Sequence, residues 1–491
     1  MRLIELMTPM TTQIDTLHDV QITGLTADSR RVEPGYLFAA LPSATRGSGT
    51  DGRSYIGDAL ARGAVAVLAP PGTVLDNAAQ LVVDDNPRRQ LALLAARFYQ
   101  RQPKTVAAVT GTNGKSSVVG FTRQIWSHLG MAAASIGTLG IDADKFDAGP
   151  SLTTPDPVAL HQTLADLADA GIGYLAMEAS SHGLDQYRLD GVEITAAAFT
   201  NLTRDHLDYH ETEAQYFAAK RRLFEQLLRP DGTAVLNADS PYYQEIRTIC
   251  RQAGHRISSY GLSTSDMRID DLSPLADGLR LCVTIAHRAF ETRLPLVGAF
   301  QAYNALAALG LVIGCGAPVD DAFAVLALLK GVRGRMQLVG RHPNGAMVYI
   351  DYAHTPDALE TALSAIRPHV AGKLVVVFGA GGDRDAGKRA MMGKVAARLA
   401  NRAIVTDDNP RREDPASIRR QILTGCPDAA EFDNRAKAIA AAIGDLAPTD
   451  TLIIAGKGHE TGQIVGTKVL PFDDAEVARD VIAELGGEAT P

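Results

Sequence analysis

The sequence predicts an α/β protein of several domains built on mainly parallel sheets, and three observations carry that reading. The chain has 491 residues, too many for one hydrophobic core, so two to four domains are expected. Apolar runs of strand length alternate with segments of helical spacing over two long stretches, the pattern of doubly wound sheets. Residues 104–117 read KTVAAVTGTNGKSS, an apolar strand entering a glycine-bounded turn. Helical spacing follows over 118–129, with the only tryptophan, Trp126.

In chain order, residues 1–101 hold short strands at 37–41, 65–68 and 81–83, helical segments at 55–62 and 88–99, and a Gly/Ser/Thr loop at 43–52. That is the texture of a small α/β domain with one mobile loop. Residues 102–334 form a central P-loop-type domain. Its apolar strands at 105–109, 133–136, 174–177, 196–199 and 234–236 read as buried and parallel. A more antiparallel patch over 257–296 and helices at 302–313 and 319–329 complete it, and the Arg/Gly-rich segment 331–341 reads as a hinge. Residues 335–491 carry a second parallel, Rossmann-like sheet, with strands at 347–350, 374–378, 403–406 and 452–455 and a tail, 486–491, expected to fray.

Composition removes several function classes. A net charge of −8 and an aromatic content of 5% argue against a nucleic-acid binder. The four cysteines, Cys250, Cys282, Cys315 and Cys426, have no paired spacing and read as reduced thiols rather than zinc ligands or disulfides. The start, MRLIELMTPM, lacks the hydrophobic region of a signal peptide, and apolar runs such as 374–379 are too short to span a bilayer. A cytoplasmic location without membrane insertion is expected.

The turn after the first central strand is a phosphate cradle. Gly111 and Gly114 let the backbone wrap so that successive N–H groups, those of Thr112 and Asn113 among them, face oxygen anions; the helix N-terminus adds its positive end. Lys115 neutralises outer phosphates and the Ser116 hydroxyl ligates the accompanying Mg²⁺. Val109 stands where a standard Walker A motif has its first glycine, so the loop is a compact variant, and it points to ATP. Glu178, at the end of a neighbouring strand, is placed to hold Mg²⁺. The next strand ends in NLTRDHLD, bringing His206, Asp205 and Asp208 to the same sheet edge; alone, the aspartates read equally well as turn caps. Lys220, in YFAAKRRLF, reads from composition as a solvated helix lysine.

Three strands of the last domain end in polar loops: GAGGDRD (379–385), DDNPRR (407–412) and GKGHET (456–461). Alone, DDNPRR reads as a surface turn shaped by Pro410. Strand ends of a parallel sheet converge on one crevice, however, which favours a pocket for a zwitterion. Arg384 and Arg411 would clamp carboxylates there, and Asp408 and Glu460 would receive ammonium groups.

GTNGKSS, MEASSHGL, NLTRDHLDYH, YFAAKRRLF, LVGAFQAYNALAAL, GRMQ, IDYAHTPDAL and AGKGHET occur in this order, preceded by TADSRRVEPGYLFAAL. Together they resemble the Mur ligases of peptidoglycan precursor synthesis over nearly the whole chain. The resemblance implies domains for a UDP-sugar, for ATP and for an incoming amino acid. It implies that Lys220 is carbamylated by CO₂ to an anionic metal ligand, reversing the bland reading, and that Lys115, Lys220 and His206 are catalytic. Two Mg²⁺ ions would be held by Ser116, Glu178, His206 and the carbamate. Asn304, Arg335, Asp351 and His354 would join the cradle, Gly111 to Ser116, in holding ATP. Gln301 departs from the family's usual asparagine, and the 43–52 loop is longer and richer in glycine than the family pattern.

Thr153-Thr154-Pro155, Ser180, Gln186 and Arg188 resemble the residues binding the muramyl dipeptide in the family's diamino-acid-adding enzymes, and Ser29 resembles their uracil-side contact. Asp408-Asn409-Pro410-Arg411 looks like the signature for meso-diaminopimelate, with Arg384, Gly456 and Glu460 in the same pocket. A buried arginine without the second carboxylate would be costly, which disfavours lysine. The implied reaction phosphorylates the D-glutamate γ-carboxylate of UDP-N-acetylmuramoyl-L-alanyl-D-glutamate. The diaminopimelate amine then attacks the acyl phosphate, in a monomer that closes about the 331–341 hinge. The rivals are a lysine-adding or folate-using synthetase, against which Thr153–Pro155 and Arg411 speak, and an ATPase switch without ligation, which leaves the arginine-bearing crevice unexplained.

Overall fold

A computed structural model describes residues 1–7, 19–43, 51–75, 79–143, 153–203, 205–263 and 265–490. The 43–52 loop thus lies largely outside the described residues. The chain folds as two compact units, Met1–Ser265 with Ala307–Ala322 and Asp266–Leu306 with Phe323–Pro491.

The first unit contains two sheets. Strands β1 (Gly24–Thr26), β2 (Tyr36–Ala39), β3 (Ala66–Ala69) and β4 (Gln80–Val83) pair in sequence order, all parallel. The central sheet holds β5 (Thr105–Thr110), β6 (Ala133–Gly137), β7 (Gly140–Ala143), β8 (Tyr174–Glu178), β9 (Ile194–Phe199), β10 (Leu228–Asn237) and β11 (Arg256–Gly261), in the order β11-β10-β9-β5-β8-β6-β7. All its pairs are parallel except β6–β7. Strand β5 lies between β8 and β9, which explains its unbroken apolar run: Val106, Ala107, Ala108 and Val109 are all buried. The helix Lys115–His128 starts directly after β5 and packs on β6 and β8 with Val118, Phe121, Ile125 and Trp126. The Trp126 ring lies 5.3 Å from that of Tyr174, and truncating so large a buried side chain costs about 3–5 kcal/mol. The helix Pro157–Asp169 is set by Asp156, whose carboxylate accepts the Val158 and Ala159 N–H groups, with proline in the first turn.

In the second unit, β12 (Met267–Leu275), β13 (Gly278–Ile285) and β14 (Arg288–Leu294) form an antiparallel meander. The antiparallel part of the 257–296 patch therefore begins at Met267, since β11 pairs parallel with β10. The C-terminal sheet comprises β15 (Gln337–Arg341), β16 (Met347–Asp351), β17 (Leu374–Phe378), β18 (Arg402–Val405), β19 (Ala430–Glu431) and β20 (Thr451–Ala455). A hairpin, β21 (Gly462–Val465) and β22 (Lys468–Pro471), stands apart, and β23 (Glu488–Ala489) completes the sheet in the order β19-β18-β17-β20-β16-β15-β23. Its first five strands are parallel.

Three expectations change here. Half of the 331–341 hinge is strand β15, paired antiparallel with β16 and β23. The tail does not fray over Glu488–Ala489, because β15 exposes one edge of backbone donors and acceptors and the tail supplies their partners. The helix expected over 319–329 ends at Ala324 and tightens into a 3₁₀ turn over Val325–Leu328.

Candidate active site

The cradle's glycines sit as the sequence requires, but the Thr112 and Asn113 N–H groups, expected to face oxygen anions, are turned instead to Asn201, because the segment after β9 packs against the loop. Gly111 has φ +147°, and a Cβ there would lie 1.9 Å from Thr200 Oγ1, so only glycine fits. Gly114, at φ +89°, caps the Lys115 helix in the left-handed region. The loop is latched to the segment after β9: Thr112 N donates to Asn201 O at 2.9 Å, Asn113 N to Asn201 Oδ1 at 2.9 Å, and Thr200 Oγ1 to Asn113 O at 2.7 Å. Lys115 Nζ folds back onto Gly111 O at 3.0 Å and Thr112 O at 2.8 Å. Ser116, 8% exposed, sits in the first turn of the same helix.

Lys220 is not a solvated lysine. It is 1% exposed, its Nζ donates to Gly111 O at 2.8 Å, and it lies 4.3 Å from the centre of the Tyr216 ring. Burial first, then the nearby Lys115 charge, push its amine well below the ordinary lysine value, against a pull from Asp205. The Tyr216 hydroxyl lies 3.2 Å from Thr112 Oγ1, and His206 packs edge-on at 6.0 Å from the Tyr216 ring and 5.0 Å from His182. Lys220, Tyr216, His206 and Thr112 thus form one cluster beside the cradle. Asp205 accepts the His206 N–H at 2.8 Å. The Asp208 side chain lies outside the described residues.

Glu178 is 1% exposed and receives two neutral donors, Thr138 N at 2.9 Å and Thr138 Oγ1 at 3.2 Å, with no ion-pair partner among the described residues. A buried carboxylate so placed is suited to a divalent cation. Thr138 Oγ1 lies 3.1 Å from Thr153 Oγ1, and Thr154 Oγ1 donates to Glu178 O at 3.1 Å. Thr154 in turn meets Ser180 Oγ at 3.0 Å and accepts its N–H at 3.2 Å, and Arg188 Nη1 donates to Thr154 O at 2.7 Å. Arg188 also grips Gln186 Oε1, whose amide donates to Tyr209 Oη at 3.0 Å. Thr153, Thr154, Ser180, Gln186 and Arg188 are therefore one hydrogen-bonded network rooted at Glu178. Ser29 lies elsewhere in the unit, opening a 3₁₀ turn capped by Asp28, whose carboxyl the Arg30 guanidinium holds down at about 2.

The second unit carries the remaining residues. Asn304 Nδ2 donates to Gln301 Oε1 at 3.0 Å, so the departing glutamine is the direct partner of the expected ATP residue. Asp351 accepts Met336 N at 2.8 Å and Ala353 N at 2.9 Å, while burial raises its carboxyl. The Arg335 guanidinium lies 4.8 Å from the Tyr352 ring, which packs against His354 at 4.5 Å and His459 at 4.9 Å.

The three polar loops do converge. A Cβ at Gly382 would lie 2.0 Å from Pro410 O, and one at Gly381 would lie 2.7 Å from Arg411 Nη1 and 3.9 Å from Arg384 Cγ. Arg411, at φ +51°, donates Nη1 to Gly382 O at 2.8 Å. Arg384 is exposed, with no hydrogen bond or ion pair among the described residues. Asp408 is 8% exposed, and a Cβ at Gly456 would lie 2.7 Å from its Oδ2. Asn409 Nδ2 donates to Glu460 Oε2 at 2.9 Å. DDNPRR is thus no free surface turn.

Sequence reasoning missed two supports of this pocket. Arg389, 1% exposed, joins Glu413 through both nitrogens of its fork at 2.8 and 2.9 Å and donates to Gly381 O, tying the first loop to the second. Lys457, 0% exposed, reaches Asn409 and Glu460. Lys457 lay within the GKGHET motif; Arg389 carries no signal beyond ordinary helix composition.

Three family models cover most of the chain: Mur ligase family, catalytic domain, over residues 21–99; Mur ligase middle domain over 109–312; and Mur ligase, glutamate ligase domain, over 334–458. A UDP-N-acetylmuramoyl-L-alanyl-D-glutamate--2,6-diaminopimelate ligase of Rhizobium meliloti (strain 1021) is 50% identical over 466 residues, 95% of each chain. The chain belongs to the Mur ligase family. An enzyme of the same description from Caulobacter vibrioides (strain ATCC 19089 / CIP 103742 / CB 15) is 50% identical over 93% of this chain and 94% of its own. A solved structure of such a ligase shares 34% identity over 95% of each chain, with a TM-score of 0.72. The Mur ligase fold extends to MurF from Acinetobacter baumannii, at 20% identity and a TM-score of 0.60 over 88% of this chain and 90% of that one. Among the described residues, no three His, Cys, Asp or Glu side chains cluster to hold a metal, and no helix is long and apolar enough to cross a membrane.

Proposed function

We propose that this chain is the ATP-dependent ligase that joins meso-diaminopimelate to the D-glutamate of UDP-N-acetylmuramoyl-L-alanyl-D-glutamate, forming an amide, ADP and phosphate in cytoplasmic peptidoglycan precursor synthesis. One observation carries the reading: a mononucleotide cradle and a carboxylate-and-ammonium crevice built around Asp408–Arg411 occur in one chain half identical to such ligases.

Lys115 meets the phosphates and offsets charge on the transferring phosphoryl group. The Thr153–Arg188 network holds the muramyl dipeptide, with the Thr153 end nearest Glu178, so that the γ-carboxylate reacts there. Arg384 and Arg411 take the carboxylates of diaminopimelate, and Asp408 and Glu460 take its ammonium groups. The amine attacks the acyl phosphate and phosphate leaves. Gln301 and Asn304, with Arg335, Asp351 and His354, hold the nucleotide, and Ser29 the uracil side.

Mg²⁺ would be held by Ser116, Glu178, His206 and carbamylated Lys220, and when bound it supplies neutralisation of phosphate charge. The scarcity of protein ligands suits this ion, which keeps waters and substrate phosphates in its shell. Lys220 suits carbamylation because only a neutral amine adds CO₂, and burial, with the nearby Lys115 charge, shifts this amine toward its neutral form. The 1–101, 102–334 and 335–491 divisions serve UDP, ATP and amino acid in turn, in a monomer.

Phosphate release with the UDP-muramyl dipeptide, comparing meso-diaminopimelate, L-lysine and no amino acid, tests this. Release should need diaminopimelate. Equal use of lysine overturns the specificity, and release without any amino acid overturns the ligase.

A further inference from the structure

Lys457 has no task in the scheme above, yet it is a fully enclosed cation of the amino-acid crevice. Its ammonium donates to Asn409 Oδ1 at 3.1 Å and Glu460 Oε2 at 3.0 Å, and Asn409 Nδ2 donates to the same Glu460 oxygen at 2.9 Å. The three side chains close a ring. Asn409 Oδ1 also accepts the Ile464 N–H at 2.9 Å, which fills both its lone pairs, and the residue is 4% exposed. Asn409 Oδ1 is therefore committed to the framework, while its Nδ2 keeps one further N–H beyond the bond to Glu460. Glu460 differs: its side chain is 33% exposed, and its Oε1 accepts no hydrogen bond among the described residues.

We propose that Lys457 and Asn409 are positioning residues for the amino-acid substrate: together they pin one oxygen of Glu460 and leave the other as the acceptor for an ammonium group. The proposal rests on the reading of Glu460 as an ammonium ligand. A free glutamate would have to lose rotamer freedom each time substrate arrived, whereas the ring removes that freedom beforehand. Lys457 and Glu460 cancel in charge, so Glu460 Oε1 serves as a directional acceptor and neighbouring Asp408 supplies the net negative charge. The other charged or titratable groups facing Glu460 are Arg435, Tyr352 and His459.

The test uses the full chain, ATP and the UDP-muramyl dipeptide, with phosphate release as the signal. Glu460→Gln comes first: a KM for diaminopimelate that does not move overturns the reading of Glu460 itself. Where it rises, Lys457→Met should raise the same KM about tenfold while the KM for ATP stays within about twofold, the worth of one hydrogen bond to a charged group. The kcat at saturating diaminopimelate should stay within about twofold, a KM-against-kcat split that a merely structural lysine would not give. A sensitive Glu460→Gln with an unmoved diaminopimelate KM in Lys457→Met overturns the proposal. Should Lys457→Met not fold, Asn409→Ala removes one of the two donors and should raise the diaminopimelate KM about threefold; no rise overturns the proposal equally.

Discussion

Replacing Arg411 by methionine tests the cargo assignment most directly. The substitution keeps an unbranched stem and, at φ +51°, the same left-handed backbone cost as any non-glycine residue, so the change isolates the guanidinium. In the structure Nη1 is engaged with Gly382 O, and the remaining N–H groups have no partner among the described residues. They are free to form a paired contact with the distal carboxylate. Each charge-assisted hydrogen bond contributes about 1.5–3 kcal/mol, and two on a half-buried arginine, discounted for solvent, amount to about 3 kcal/mol, or roughly a hundredfold in kcat/KM. The lost bond to Gly382 costs about 1 kcal/mol of stability, a fall of roughly 2–4 °C in Tm for a domain of this size. Phosphate release at saturating ATP and UDP-muramyl dipeptide would be measured against both amino acids. The expected result is a roughly hundredfold loss with diaminopimelate and less than about threefold with L-lysine. If both fall together, or neither falls, Arg411 does not read the second carboxylate and the argument from Asp408–Arg411 fails.

Lys220→Met should lower kcat by about 10²–10³ with the fold intact by circular dichroism, and wild-type protein should show a ¹³C carbamate signal under ¹³CO₂; full activity in the variant refutes the carbamate. Gly111→Ala places a methyl group against Thr200 Oγ1 and forces φ +147°, so nucleotide binding should weaken at least tenfold with about 1–3 kcal/mol of destabilisation, read by calorimetry and thermal melting. Burial holds His459 down at about 4, with the Arg335 charge adding to it. Because the folded value is depressed below the ordinary one, its contribution is fully present above about pH 6.5 and is lost as pH falls toward 4. His459→Phe should flatten that part of the stability profile by about 1–2 kcal/mol after discounting for partial exposure, and a profile parallel to wild type would count against it.

The β5 strand and its cradle were legible because they are local: Val106–Val109, two glycines and a lysine lie within ten residues, and strand end, loop and helix start are adjacent by connectivity. The strands of the C-terminal sheet were legible for a similar reason, since strands buried on both faces carry no polar alternation to confuse them. Lys220 was not legible from its own neighbourhood. Its helix carries Lys220, Arg221 and Arg222 in succession, and only packing decides that Lys220 is buried against Tyr216 and Gly111 while Arg222, also buried, pairs with Asp190. The tail was misread because the partner of Glu488–Ala489 lies nearly 150 residues earlier, at β15.

By itself, then, the sequence determined the α/β class, the phosphate cradle and, through the order of its motifs, the family. These depend on chemistry that is contiguous in the chain. Only the tertiary structure decided that Lys220 is a buried amine whose charged form burial disfavours, that Glu178 anchors the Thr153–Arg188 network, and that Arg389 and Lys457 brace the crevice around Arg411 and Glu460. Desolvation and hydrogen-bond saturation belong to groups brought together from distant segments, and no local window of sequence contains them.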